Sequence, residues 1–353
     1  MQIRHGLKSR RSALAFRTGM GWGTSLTAVV ALSLAVGVPA LAQQPAEPIH
    51  PPPHYAPWPN LGTGQNERQI QGSLMLGPEL QRAQSPRAML AERRKLDAAL
   101  AALQPQRRGI VDAYVVAIAL DSDPVFSREA REAGRVLTRR YGAEGRTITL
   151  AGPDGRSAAL AKGSLTSLTL TLARIAELMD PAEDVLVLYS TSHGAPVGLA
   201  YHEGDSGYGI LSPSRLGVVL GELGIRRRIV LLSACHAGVF VPFLGSPDTV
   251  IVTAASAERK SFGCQAENDW TFFGDALVNT ALRKPQPLAA AAAEARDLIA
   301  GWEAGSGLEP SQPQAVFGAS VDQWLTALEA RVPRAATERV GAPAIGSLRT
   351  ASR

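Results

Sequence analysis

Two short stretches of this chain place a reactive side chain directly after an apolar run. Residues 230–238 read VLLSACHAG, and residues 185–194 read VLVLYSTSHG. The first carries a thiol, Cys235, and the second an imidazole, His193. A thiol attacks carbon as its thiolate, and a nearby imidazole can accept its proton or pair with it. The two residue types therefore predict nucleophilic catalysis, provided that the fold brings them together.

An alternation of strand and helix patterns supplies the elements that would position these residues. Continuous apolar and β-branched runs predict buried strands, and apolar residues three and four positions apart predict helices. Strands that alternate with helices indicate an α/β fold, a mostly parallel sheet with helices on both faces. The predicted strands are 111–120, 147–150, 185–189, 229–233 and 249–254, and the predicted helices are 89–103, 130–141, 164–179, 213–223, 270–282, 288–302 and 321–330.

The order of these elements predicts where a site would form. Ligands of open parallel sheets bind beyond the carboxyl ends of the strands. One predicted crossover helix, 213–223, separates the strands that precede His193 and Cys235, and a right-handed crossover leaves such strands parallel and close. We therefore expect both side chains at the same edge, where the N–H groups of Gly194 and Cys235 could stabilise an oxyanion.

The two cysteines also allow structural interpretations. Cys235 and Cys264 could form a disulfide if the protein is exported, because oxidising compartments favour such bonds. A lone cysteine in a core is otherwise usually a small apolar residue. On residue types and spacing alone, the catalytic and structural interpretations of Cys235 stay open.

Two further motifs favour no second site. A metal site built from Cys235, His193, His202 and His236 is disfavoured, because Cys235 and His236 are adjacent and no paired Cys/His motif accompanies them. The sequence Gly-Asp-Ser-Gly at 204–207 is typical of trypsin-like serine peptidases, which are all-β proteins. Here we interpret it as part of a glycine-rich loop that joins the predicted strand 185–189 to the predicted helix 213–223. No metal or other cofactor is predicted.

Residues 184–277 resemble the legumain (asparaginyl endopeptidase) family of cysteine peptidases. VLVLYSTSHG is similar to the family's strand before the catalytic histidine and glycine, and IVLLSACHAG to its strand before the catalytic cysteine. TAASAERKSFGCQAENDW, residues 253–270, is similar to its substrate-pocket segment. The resemblance implies a caspase-like three-layer α/β/α sandwich. It also implies an endopeptidase that hydrolyses polypeptide through a thioester, after Asn or Asp.

The resemblance assigns a role to each matching residue. It implies that Cys235 is the nucleophile, that His193 is the general acid and base, and that the Gly194 amide lies in the oxyanion hole. The substrate-binding positions that it implies are Ser261, Asp269, Arg128 and Ser233.

This chain departs from the family pattern at several positions. Ser233 stands where plant and animal members have Glu, which removes a charge from the pocket and weakens the expectation of strict Asn preference. Ser192 precedes the histidine in place of Asp, and DSDPVFSRE, residues 121–129, has no counterpart of the third catalytic residue, an asparagine. Two alternatives remain: a transamidase of the same family, or a non-catalytic scaffold that binds peptide.

Composition predicts how the chain is divided. Residues 1–42 combine an arginine-rich start, an apolar run at 26–38 and an Ala-Leu-Ala end, the pattern of a signal peptide. We expect a periplasmic or secreted protein, which meets the membrane only if this segment is not cleaved. The predicted divisions that follow are a proline-rich linker at 43–65, one peptidase domain at 66–332 and a disordered tail at 333–353.

The charge of the chain argues against a nucleic-acid partner. The predicted signal peptide holds five of the 36 Lys and Arg and none of the 31 Asp and Glu, so the remainder carries 31 of each. A basic surface for nucleic acid would have to survive removal of that segment. Polypeptide is the only partner predicted, and the sequence gives no oligomeric state.

Overall fold

The computed structural model describes residues 65–70, 85–152, 158–204 and 207–346. The chain divides into two compact units, Met1–Trp58 and Pro59–Arg353, and all described residues belong to the second. The predicted signal peptide and nearly all of the predicted linker lie outside the described residues and stay predictions. Within the four described ranges, no helix is long and apolar enough to cross a bilayer.

A six-stranded sheet forms the centre of the second unit. The strands of this unit are β1 Ala113–Ala119, β2 Thr147–Leu150, β3 Val185–Thr191, β4 Gly194–Ala195, β5 Gly198–Glu203, β6 Gly207–Leu211, β7 Arg228–Ser233, β8 Thr249–Thr253 and β9 Gln314–Phe317. The central sheet has the order β2-β1-β3-β7-β8-β9 and is parallel except for the β8–β9 pair. The antiparallel edge strand β9 was not predicted. The predicted α/β class with a mostly parallel sheet is confirmed.

Helices cover both faces of this sheet. They are α1 Pro86–Ala101, α2 Pro124–Tyr141, α3 Leu165–Leu178, α4 Pro213–Glu222, the short α5 Val241–Leu244, a π-helix Gly274–Thr280, α6 Leu288–Gly305 and α7 Asp322–Glu329. Val115 of β1 joins the core that contains α2, α6 and α7, whereas Tyr114 and Val116 join the core that contains α1, α3 and α4. Successive strand residues thus bury opposite faces, which explains the continuous apolar runs.

Local signals in the sequence set several helix ends. Ser164 accepts a hydrogen bond from the Ser167 N–H at 3.0 Å and caps α3. Ser212 caps α4 in the same way, directly before Pro213. Helix α2 ends at Gly142, which adopts φ of +59°, a conformation that glycine reaches without steric cost. Helix boundaries were predictable where such residues occur.

The segment after His193 is a small sheet rather than a glycine-rich loop. Strands β4, β5 and β6 form a three-stranded antiparallel sheet. Leu199 and Leu211 are buried in the core beneath it, and their neighbours along each strand face outward. The loop prediction was wrong for 198–203 and 207–211, because apolar alternation in such short strands is weak among glycines. Within the Gly-Asp-Ser-Gly sequence, Asp205 and Ser206 lie outside the described residues.

The prediction of a disordered tail was wrong for residues 333–346, which pack on the domain. The Trp270 indole donates to the Val340 carbonyl at 2.8 Å, and the Val340 N–H donates to Asn279 at 2.9 Å. The N–H of the buried Ala344 donates to the Asp275 carboxylate at 2.8 Å. The composition of the tail gives no sign of these partners, because the polar groups of Trp270, Asp275 and Asn279 that bond to the tail lie elsewhere in the sequence.

A chain that ends at residue 333 is expected to be less stable by about 3 kcal/mol, because several hydrogen bonds worth about 1 kcal/mol each are lost with the tail. The free energy of unfolding in urea measures this loss. A chain that ends at residue 346 keeps those bonds and serves as the control. Equal stability of the two shortened chains would contradict the packing role of residues 334–346.

Candidate active site

The central sheet brings His193 and Cys235 to the same edge. Strands β3 and β7 are parallel neighbours, and their register pairs Thr191 with Ser233. His193 and Cys235 each follow that pair by two residues, at the carboxyl ends of the two strands. A Cβ at Gly194 would lie 2.0 Å from the Cys235 carbonyl oxygen, so only glycine permits this approach of the two chains. The predicted juxtaposition is present in the structure.

His193 lies on an exposed edge beside an acidic residue. Its Nε2 lies 3.5 Å from a carboxylate oxygen of Asp123, and both side chains are nearly half exposed. The Phe126 ring packs against the imidazole edge-on, with centroids 5.0 Å apart. Asp123 lies just beyond the carboxyl end of β1, and β1 is the neighbour of β3 in the sheet. Sequence reasoning missed this residue, although its position after a predicted strand was a usable signal.

The N–H of Gly194 points away from the small sheet. The Ala200 N–H donates to the His193 carbonyl at 2.9 Å, and Gly194 pairs with Leu199 in the antiparallel register. Hydrogen-bonded and non-hydrogen-bonded pairs alternate in such ladders, so the Gly194 N–H is directed away from β5. It is therefore available for an acceptor on its other side.

Cys235 begins a tight turn that ends strand β7. His236 adopts φ of +57°, which costs a non-glycine residue about 1 kcal/mol or more. The turn is held by the His236 N–H, which donates to the Arg259 carbonyl at 2.8 Å, and by His236 Nδ1, which lies 2.9 Å from the Ala257 oxygen. One ring nitrogen of His236 is thus engaged by a backbone oxygen, and His193 is the candidate base.

Hydrogen-bond donors surround the Cys235 sulfur. The neighbouring Cys264 thiol, as a hydrogen-bond donor, is the main cause that lowers the Cys235 pKa from 9.0 to about 6. The Ser261 N–H donates to Sγ at 3.2 Å and lowers the pKa further, as do the charges of His236 and His193, whereas burial opposes them. A pKa of about 6 makes the thiolate the major form at neutral pH.

Cys264 has a role that the sequence did not reveal. Its hydrogen bond to Cys235, its burial and the nearby carboxylates raise its pKa well above the ordinary value, so it stays protonated and donates. Both cysteines are free thiols in the structure. The disulfide interpretation is therefore not realised here, and Cys264 acts as a neighbour that stabilises the Cys235 thiolate.

The four residues expected to bind substrate do not share one environment. The Arg128 Nε lies 3.5 Å from an Asp269 oxygen, and the Arg128 guanidinium donates to the backbone oxygens of Ala266 and Asn268. Ser261 lies beside Cys235. The Ser233 side chain is buried and lies 3.0 Å from the Thr271 hydroxyl, and its expected part in substrate binding stays a prediction.

Thr271 continues a buried polar network beneath the site. Its N–H and hydroxyl both donate to Glu129, at 2.9 and 2.8 Å, and the Tyr189 hydroxyl donates to the same carboxylate at 2.6 Å. All three side chains are almost fully buried. The network links β3, α2 and the segment that holds Asp269, so the elements that carry the site are tied to one another below the surface.

The described residues contain no group of three or more His, Cys, Asp and Glu side chains placed to hold a metal ion. His202 lies in a different environment from His193, with Nδ1 3.6 Å from Asp121.

One protein-family model matches part of this chain. Residues 165–317 match the model of the Peptidase C13 family, the legumain family. This stretch belongs to that family. It contains His193, Gly194, Cys235, Ser261 and Asp269, whereas Arg128 lies before it. The resemblance seen in the sequence is confirmed over this stretch, and the match supports a cysteine peptidase.

Other comparisons add little to this assignment. No curated protein matches the chain. A crystal structure of caspase-1 from Spodoptera frugiperda matches with a TM-score of 0.40 and 13% identity, over 61% of this chain and 93% of that one.

The role of Cys264 can be tested through the titration of Cys235. In the wild type, the rate at which iodoacetamide modifies Cys235 is expected to rise with pH around a midpoint near 6. Cys264→Ala removes the donor and should move the midpoint up toward the ordinary value of about 8.5. Cys264→Ser retains a hydroxyl donor and should move it less. Peptide mapping identifies the modified sulfur, and an unchanged midpoint in Cys264→Ala would refute the role of this donor.

Proposed function

We propose that this protein is an endopeptidase that cleaves polypeptide through a Cys235–His193 dyad, after export from the cytoplasm. The observation that carries the proposal is a thiol with a lowered pKa beside an exposed imidazole at one edge of the sheet. Family membership supports peptide bonds as the substrate class. Export rests on the signal-peptide pattern of residues 1–42 alone.

In this mechanism the Cys235 thiolate attacks the carbonyl carbon of the scissile bond. The oxyanion accepts a hydrogen bond from the Gly194 N–H, which points away from the small sheet. Protonated His193 then donates its proton to the leaving amine, and the C–N bond breaks to leave a thioester on Cys235. Water, deprotonated by His193, hydrolyses the thioester and regenerates the thiolate.

Asp123 completes this arrangement by orienting His193. Its carboxylate faces Nε2, so Nδ1 is the nitrogen left for the substrate and the thiol. A carboxylate in this position also stabilises the imidazolium that donates the proton. Asp123 therefore takes the positioning role for which the sequence offered no counterpart.

The residue before the scissile bond is proposed to be Asn or Asp. Arg128 and Asp269 place a guanidinium and a carboxylate together near the pocket segment, and such groups suit side chains with both donors and acceptors or a negative charge. Ser233 adds no charge there because a serine hydroxyl is neutral. The absence of a carboxylate at position 233 agrees with acceptance of Asp as well as Asn.

Turnover of an internally quenched peptide library tests the dyad. Cys235→Ala and His193→Ala should each lower kcat/KM at least about a thousandfold, because nucleophile and base act as a unit. Asp123→Asn should lower it about tenfold, since the amide orients the ring without stabilising its charge. Asp322→Asn, an exposed position at the start of α7, is the control with the same change.

Two results would contradict the proposal. Full activity of Cys235→Ala would exclude this sulfur as the nucleophile. Binding of library peptides by the wild type with no cleavage of any of them would favour the non-catalytic scaffold instead.

A further inference from the structure

A cavity lies beyond the carboxyl ends of β1 and β2, the strands on the side of β3 away from β7. Its volume is about 80 Å³, and Ala119 and Ala151 form its apolar floor beyond the carboxyl ends of β1 and β2. Polar walls come from Asp121, from Lys162 and from the His202–Glu203 end of β5. Drug-sized ligands need about 300 Å³ or more, so this cavity suits the head group of one side chain.

The cavity wall contains a buried carboxylate with an unsatisfied oxygen. The Asp121 side chain is 1% exposed. One of its oxygens accepts a hydrogen bond from the Asp123 N–H at 3.0 Å. The other is buried and has no hydrogen-bond partner among the described residues, and His202 Nδ1 lies 3.6 Å from it, close enough for an ion pair when that ring is protonated. A buried charge of this kind is costly unless a donor or a cation meets it.

The other charges around the cavity largely cancel. Lys162 and Glu203 form an ion pair, and the Tyr201 hydroxyl lies 3.2 Å from the second Glu203 oxygen. Burial and this carboxylate raise the pKa of Tyr201 to about 12, so the hydroxyl keeps its proton. Only a protonated His202 can balance the Asp121 carboxylate, and it makes no hydrogen bond to it, so the cavity favours a cationic head group.

The order of the sheet fixes which part of a substrate would reach this cavity. In the strand order β7-β3-β1-β2, Cys235 follows β7 and His193 follows β3. The cavity lies beyond the ends of β1 and β2. The proposed mechanism puts the acyl carbon at Cys235 and the leaving amine at His193. The residues after the scissile bond therefore continue toward Asp121.

We infer that this cavity is a subsite for a Lys or Arg side chain on the carboxyl side of the scissile bond. The inference rests on the proposed function, because the direction of the substrate follows from the roles of Cys235 and His193. The ammonium or guanidinium donates to the free Asp121 oxygen, and the aliphatic part of the side chain covers Ala119 and Ala151. The enzyme thereby selects substrates by a basic residue beyond the cut.

The test uses a peptide that the wild type cleaves. Each of the four positions after the cleaved bond carries in turn Lys, acetyl-lysine or norleucine, and kcat/KM is measured for every peptide. Lys at one position should raise kcat/KM about tenfold over both neutral residues, which corresponds to about 1.4 kcal/mol. Equal values at all four positions would overturn the inference, and this comparison needs no variant protein.

Variant proteins connect the preference to Asp121. Asp121→Asn keeps an oxygen for the Asp123 N–H and should reduce the Lys-to-norleucine ratio to about one. The ratio is taken within each variant, so any general loss of activity cancels. Asp322→Asn should keep the tenfold preference. A preference that persists in Asp121→Asn would overturn the assignment of the cavity.

Binding separates failure of the subsite from failure of the proposed function. Calorimetry with the Cys235→Ala protein should give a Kd about tenfold lower for the Lys peptide than for the norleucine peptide. Lys-dependent binding by a wild-type protein that cleaves no peptide would overturn the proposed function and support the subsite. Cleavage without any Lys dependence would overturn the subsite alone.

Discussion

The parallel pairing of β3 with β7 is the constraint on which the rest of the site depends. It sets the register that places His193 and Cys235 two residues beyond the same pair, Thr191 and Ser233. A slip of one residue would turn each side chain to the opposite face of the sheet. Gly194 allows the two strand ends to approach, because any side chain there would collide with the Cys235 carbonyl. The proposed chemistry is therefore a consequence of backbone register as much as of residue type.

Beneath that edge, buried polar groups hold the surrounding elements at fixed positions. Glu129 accepts hydrogen bonds from Tyr189 and Thr271, and burial together with Glu129 raises the Tyr189 pKa well above its ordinary value, which keeps its hydroxyl a donor. Cys264 acts in the same way closer to the surface, because its protonated thiol stabilises the Cys235 thiolate. Removal of one partner in such networks costs more than the bond itself, because the other partner stays buried.

The sequence predicted features that depend on continuous or capped patterns. The buried strands β1, β3, β7 and β8 read as apolar runs, and Ser164 and Ser212 marked helix starts. Features that depend on tertiary partners were missed or wrong. The tail looked disordered because Trp270, Asp275 and Asn279 are far away in sequence. The contact of Ser233 with Thr271 was missed because the two residues are 38 positions apart in the sequence. The roles of Asp123 and Cys264 likewise follow from strands and loops that meet only in the folded chain.

The central claim is that Cys235 forms a covalent bond to its substrate. Acid quenching during turnover of a cleaved peptide, followed by intact-protein mass spectrometry, tests it most directly. The account predicts an adduct with the mass of the amino-side fragment less one water, mapped to Cys235 and absent in Cys235→Ala. Turnover without any such adduct, and with full activity retained in Cys235→Ala, would contradict it.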